Sequence, residues 1–239
     1  MMPAETLQAA IPELHPEARL VALAAPDSPA AGQYRVLWQR VLRLAATRPL
    51  RLLAITSAGR GEGRTTTAAN LALTAAAEGR AALLVEADLR HPTLSRLLGL
   101  APRSGLGDVL EGRAELGQAI TRLGPLALLA AGTAQDVGAA LRGPAAAAVA
   151  ERLRGEWELV ILDAPPALSF ADGDRLSGEA DAALLVVRAG RTPRQVIRTA
   201  LDALGERAAG IVLNDVDRDA VAHGRWIFPG EGEPATRRG

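Results

Sequence analysis

Apolar positions along this chain fall into two rhythms. Short unbroken runs stand at Leu52-Leu53-Ala54-Ile55, Ala82-Leu83-Leu84-Val85, Leu126–Leu129, Leu159-Val160-Ile161-Leu162, residues 183–187 and residues 210–213. Each is bounded by polar or glycine-rich segments, the pattern of strands buried on both faces. Between them the apolar spacing turns helical. Over residues 33–46, Val36, Leu37, Val41, Leu42 and Leu44 recur at helical intervals, and Pro49 marks the stop. Helices are likewise expected after Gly63, over 92–98, twice within 101–124, and over 137–154, 172–179 and 193–206. Strands alternating with helices predict an α/β fold, a three-layer sandwich whose mostly parallel sheet carries helices on both faces. The ends of the chain lack this rhythm. Residues 1–30, rich in Pro and Ala, predict an irregular leader with a short strand at 19–23. Residues 217–239 read as a disordered tail, which leaves 31–216 as the folded domain.

Composition narrows the picture. At 239 residues the chain is long enough to bury one domain core. Basic and acidic groups balance at 27 each, so no electrostatic footprint points to nucleic acid. Every one of those basic residues is arginine, and cysteine is absent, which excludes disulfides and thiolate metal sites. No apolar stretch reaches eighteen residues and no signal-peptide pattern opens the sequence, so a cytoplasmic protein is expected.

Candidate chemistry centres on residues 50–71, LRLLAITSAGRGEGRTTTAANL. A strand, a turn carrying Gly59, Gly61 and Gly63, and a helix-forming segment follow one another. Such a turn lets successive backbone N–H groups point inward, and the helix N-terminus adds partial positive charge, so the stretch reads as a P-loop phosphate cradle. The lysine that normally follows the last glycine is Arg64, the magnesium-binding hydroxyl is Thr65, and Ala58 stands where the motif's first glycine is usual. Ligands of open α/β sheets bind beyond the carboxyl ends of the strands. Asp163 ends one run there, and Glu86 and Asp88 end another. Magnesium takes oxygen ligands, so Thr65 and Asp163 are the natural protein ligands beside ATP, with Glu86 and Asp88 placed to act directly or through water.

These residues resemble the bacterial tyrosine kinases of capsule and exopolysaccharide assembly. Residues 57–71, SAGRGEGRTTTAANL, are similar to that family's P-loop; EADLRHP at 86–92 resembles its second acidic motif, and DAPP at 163–166 its third. The similarity runs over roughly residues 20–216. It implies a P-loop NTPase fold that transfers the ATP γ-phosphoryl group to protein tyrosine, beside a membrane-anchored activator of polysaccharide polymerisation and export. Gly59, Gly61, Glu62, Gly63, Arg64, Thr65 and Thr66 would wrap the phosphates, and Asn214 would lie near the adenine. Thr65, Asp88 and Asp163 would hold the magnesium, Arg64, Asp88 and Asp163 would serve catalysis, and Glu86 would be the base-like carboxylate near the incoming hydroxyl.

Four departures bear on activity. Arg64 replaces lysine, and loss of one well-aimed donor typically costs ~10²–10³ in rate. Glu86 is one methylene longer than the family's aspartate. The single tyrosine, Tyr34, lies far from the tail, where the family carries a tyrosine cluster. The family's oligomerisation motif survives only at Arg35, with Gly32 and Trp38 replacing its other members; this leaves a homo-oligomer open and weakens the case for a ring. Two further readings stand beside the kinase: a non-catalytic ATP-binding regulator of the same fold, and a partitioning or septum-positioning ATPase. The latter group carries an extra lysine at the position of Gly59.

Overall fold

The computed structural model describes residues 15, 18–101, 103–124, 126–168 and 174–216. The strand-like runs form one seven-stranded sheet from β1 (Leu52–Ser57), β2 (Ala82–Glu86), β3 (Ile120–Leu123), β4 (Leu126–Leu129), β5 (Leu159–Asp163), β6 (Ala182–Arg188) and β7 (Ala208–Asn214). Their order is β3-β4-β2-β5-β1-β6-β7. All neighbours are parallel except β3 and β4.

Strand pleating divides the core. Leu52 and Ala54 point with Leu83, Val85, Val160 and Leu162 to one face, and Leu53 and Ile55 point with Leu84 and Ile161 to the other. The first face is covered by helices α5 (Leu106–Leu110), α6 (Leu116–Ala119), α7 (Val137–Arg142), α8 (Pro144–Glu156), α9 (Arg175–Gly178) and α10 (Arg194–Leu204). The second is covered by α1 (Val21–Ala24), α2 (Pro29–Thr47), α3 (Arg64–Ala77) and α4 (Leu94–Leu97).

Helix α3 is buried from Thr67 to Ala76. Its alanines let the helix lie close to the sheet, and α2 closes over its outer side, where the Trp38 indole donates to Glu78 Oε2 at 2.9 Å. At the amino end of β1, Asp181 accepts from the N–H groups of Arg51 and Leu52.

The structure corrects the sequence reading in four places. Residues 19–23 form no strand; Val21–Ala24 is a single helical turn, held by Asn70, which accepts from Ala22 N–H and donates to the Arg19 carbonyl. Helix α2 starts at Pro29 rather than residue 33, because Ser28 caps Ala31 N–H and proline suits the first turn. The helix expected over 137–154 is two helices, divided where Pro144 opens the second after the extended Gly143. Strand β3 was not anticipated: it pairs antiparallel with β4, Ile120 opposite Leu129 and Leu123 opposite Leu126. Its half-exposed Ile-Thr-Arg-Leu pattern lacks the continuous apolar run of the central strands. Residues 172–173 of the helix expected at 172–179, and the tail at 217–239, lie outside the described residues.

Candidate nucleotide site

The loop between β1 and α3 owes its shape to two glycines. Gly61 and Gly63 have φ of +74° and +90°, values that favour glycine. At Gly63 space is also closed, since a Cβ there would lie 1.9 Å from Asn214 Nδ2. That amide donates to the Glu62 carbonyl at 2.9 Å, so β7 touches the cradle directly.

Glu62 turns inward rather than towards a ligand. Its Oε2 accepts from Ala58 N–H at 3.2 Å, and its Oε1 accepts from the Thr192 hydroxyl at 3.0 Å. The side chain, expected among the phosphate-wrapping residues, is thus a brace across the loop. Gly59 contributes its carbonyl, which accepts from the Ser57 hydroxyl. Arg64, Thr65 and Thr66 form the first turn of α3, where backbone N–H groups remain for an anion. Thr65 Oγ1 lies 3.4 Å from Thr93 Oγ1.

The acidic residues converge as their strand-end positions required. Glu86 and Asp163 are neighbours across the β2–β5 ladder, and Asp88 follows two residues beyond β2. Arg64 joins two of the three. Its Nε donates to Asp163 Oδ1 at 3.2 Å and its Nη2 to Asp88 Oδ2 at 2.8 Å. Asp88 Oδ1 accepts from His91 N–H. Burial pushes Asp163 up to about 6, against the lowering effects of the Arg64 charge and of hydrogen bonds from Thr65 and Arg64; nearby Glu86 adds to the rise.

Glu86 has a different task from the one its motif position implied. Its Oε1 accepts from Leu94 N–H, and its Oε2 accepts from the Ser95 hydroxyl and Ala131 N–H. Both oxygens are spent on starting α4 and fixing the exit of β4. With Glu86 only 1% exposed the carboxylate is built into the scaffold, so the geometry does not present it as a base to an incoming hydroxyl.

The expected magnesium ligands Thr65, Asp88 and Asp163 do lie together, and their oxygens suit a hard cation. The guanidinium of Arg64, however, already bridges both carboxylates. Among the described residues no group of three or more His, Asp or Glu side chains is arranged to hold a metal. As built, the set fits a guanidinium and not a divalent ion.

Alongside Asp88 opens a cavity of about 260 Å³, whose lining includes Arg60, Arg90, Arg142, Pro165 and Pro166. Arg60, Arg90 and Arg142 make no hydrogen bond or ion pair with a described residue. Sequence reasoning missed this arginine group, because nothing in the spacing of 60, 90 and 142 announces that they meet. It also missed Asn70 as the tie to the leader; an amide inside an otherwise apolar helix segment was the available signal. The positions of the oligomerisation motif are engaged within the chain: Arg35 donates to the Pro26 carbonyl, and Trp38 is buried against α3.

No protein-family model matches the chain. It is 31% identical over 210 residues to the tyrosine-protein kinase YwqD of Bacillus subtilis, covering 82% of this chain and 85% of the relative. It is 32% identical to the succinoglycan biosynthesis transport protein ExoP of Rhizobium meliloti, again over 82% of the chain but over only 26% of that much longer protein. Among solved structures, the BceF tyrosine kinase domain matches with a TM-score of 0.71 and 25% identity, covering 81% of each chain. A septum site-determining protein MinD, complexed with Mg-ADP, from Pyrococcus horikoshii is more distant in fold, with a TM-score of 0.58 at 28% identity over 73% of this chain and 76% of that one. The extra lysine of that second group is absent at Gly59. With the cradle, the strand-end acids and the match to YwqD over 82% of the chain in agreement, the chain belongs to the bacterial tyrosine-protein kinase family.

Proposed function

We propose that the chain binds ATP at the cradle of residues 59–66 and transfers the γ-phosphoryl group to tyrosine on another protein, in the control of capsule or exopolysaccharide polymerisation and export. One observation carries this reading: the cradle, Asp163 and Asp88 stand at the carboxyl ends of β1, β5 and β2, three adjacent strands, joined through Arg64. Phosphoryl transfer asks chiefly for positioning and charge neutralisation. Backbone N–H groups of residues 61–66 and the start of α3 supply the first, and Arg64 contributes to the second. Asn214, already seated on Gly63 and Glu62, is positioned to border the nucleotide.

The acceptor lies on a partner because the chain's own Tyr34 turns inward, its phenol pushed up by burial against the lowering effect of nearby Thr67 and Asn70. A membrane-anchored polysaccharide co-polymerase is that partner in this reading, with the chain on the cytoplasmic side of the inner membrane. The match to one part of ExoP supports it.

Incubation with γ-labelled ATP and the tyrosine-bearing cytoplasmic segment of the partner tests the proposal. Label on partner tyrosine is expected. Saturable ATP binding with no transfer would replace it by the second reading, a non-catalytic ATP-dependent regulator, which the full engagement of Glu86 favours.

A further inference from the structure

We propose that Arg64 is the resident cation of this site, its guanidinium closing Asp88 and Asp163 to a divalent ion, so that nucleotide binds without one. The inference rests on the nucleotide-binding reading above.

Magnesium needs oxygens at about 2.0–2.1 Å in near-octahedral array. The two oxygens it would share are taken at 2.8 and 3.2 Å by nitrogens of one planar fork, and an ion bridging them would have to occupy the space of that fork. The pairing is also sheltered. Side-chain exposure is 12% for Arg64, 6% for Asp88 and 2% for Asp163. Withdrawing the guanidinium would strand two buried carboxylates, which is costly. A planar guanidinium can donate from two nitrogens to two acceptors at once, whereas an ammonium is a point charge. Only Nε and Nη2 are used; Nη1 makes no hydrogen bond with a described residue and is left to donate to a phosphate oxygen.

Charge is the second part of the argument. One guanidinium brings half the charge of a divalent ion, so a polyphosphate would meet a deficit at Asp88 and Asp163 alone. Arg60, Arg90 and Arg142 line the cavity that Asp88 and Asp174 share; none makes an ion pair with a described residue, and of the three only Arg90 acts electrostatically on Asp174, so the arginines outnumber the carboxylates there. The site thus gathers arginine where a metal-dependent site would gather an ion.

Titration of a fluorescent ADP analogue, in EDTA and in millimolar magnesium, tests this on the full chain. Wild type is expected to show dissociation constants within about threefold of each other, whereas Arg64→Ala loses more than about tenfold in EDTA and recovers with magnesium. Arg64→Lys, which keeps a charge in the site, is expected to regain magnesium dependence and serves if the alanine variant fails to fold. A second measurement needs no nucleotide: manganese followed by electron paramagnetic resonance should remain free with wild type and become immobilised with Arg64→Ala or Arg64→Lys. Magnesium enhancement above about tenfold in wild type overturns the proposal while leaving the nucleotide reading intact. So does manganese bound by wild type as tightly as by the variants. Failure to bind nucleotide under either condition overturns both.

Discussion

Glu86 and Asp163 are ladder partners at the ends of β2 and β5, yet only Asp163 receives the Arg64 guanidinium; Glu86 receives Leu94, Ser95 and Ala131. Adjacent carboxylates of the same motif set therefore divide into one that faces the cradle and one that holds the scaffold. Glu86→Gln should act on stability first. It replaces one acceptor oxygen by a donor opposite buried donors, at a cost of about 1–3 kcal/mol. A lowered urea midpoint with unchanged slope is the expected record. Nucleotide affinity of the folded variant should stay within about threefold of wild type, and a large loss of affinity at full stability would contradict the assignment.

The two left-handed glycines of the cradle should respond differently to alanine. Gly61→Ala meets open space and pays only for the unfavourable φ, about 1 kcal/mol. Gly63→Ala adds a collision with the Asn214 amide and breaks its bond to the Glu62 carbonyl. Loss of nucleotide binding by more than about tenfold is expected for Gly63→Ala alone, measured by the same fluorescent titration.

Asp108 gives the fold an acid limit. Burial acts to raise it, but hydrogen bonds from Thr133 N–H, the Thr133 hydroxyl, Arg113 and Gly105 N–H outweigh that and bring it to about 2, below its ordinary 3.8. A lowered carboxylate stabilises the fold fully above the unfolded value, and that contribution drains away as pH falls through 3.8 towards 2. The difference amounts to about 2 kcal/mol. Denaturant midpoints of wild type and Asp108→Asn, compared from pH 7 to 2.5, should differ most at neutral pH, and the gap should shrink to less than half by the acid end.

Tyr34→Phe should leave phosphoryl transfer to the partner unchanged. Its hydroxyl is turned to Thr67 and Asn70, so removing it costs stability of about 1 kcal/mol and nothing at the site. Mass spectrometry after incubation with ATP should find phosphate on partner tyrosine and none on Tyr34; phosphate at Tyr34 would show that α2 opens from α3.

Much of this architecture was legible because burial on both faces leaves a simple mark. Strands β1, β2, β4, β5 and β6 are continuous apolar runs, and parallel sheets place the residues that follow such runs at one edge, so Asp163, Asp88 and the cradle could be brought together from sequence. What escaped was set by single tertiary contacts. Strand β3 is held by pairing with β4 more than by burial, and the turn at 21–24 is fixed by Asn70 from 48 residues away in sequence. Glu62 and Glu86 sit at positions whose motif suggests chemistry, while partners such as Thr192 and Ala131 show them to be supports. The Arg64 bridge was hidden for a related reason: a motif records which residue follows the glycine, not which way its side chain turns.

The Glu62 brace has a thermodynamic and kinetic reach of its own. Because Ala58, Thr192 and Asn214 already hold the loop in shape, a nucleotide arriving there orders little chain. Association should then follow a single bimolecular step without a slow isomerisation, and its heat-capacity change should reflect only the surface the nucleotide itself covers. Releasing the brace by Thr192→Val would move the same reaction into a different regime, with slower association and a larger, more negative heat-capacity change as the loop folds around its ligand.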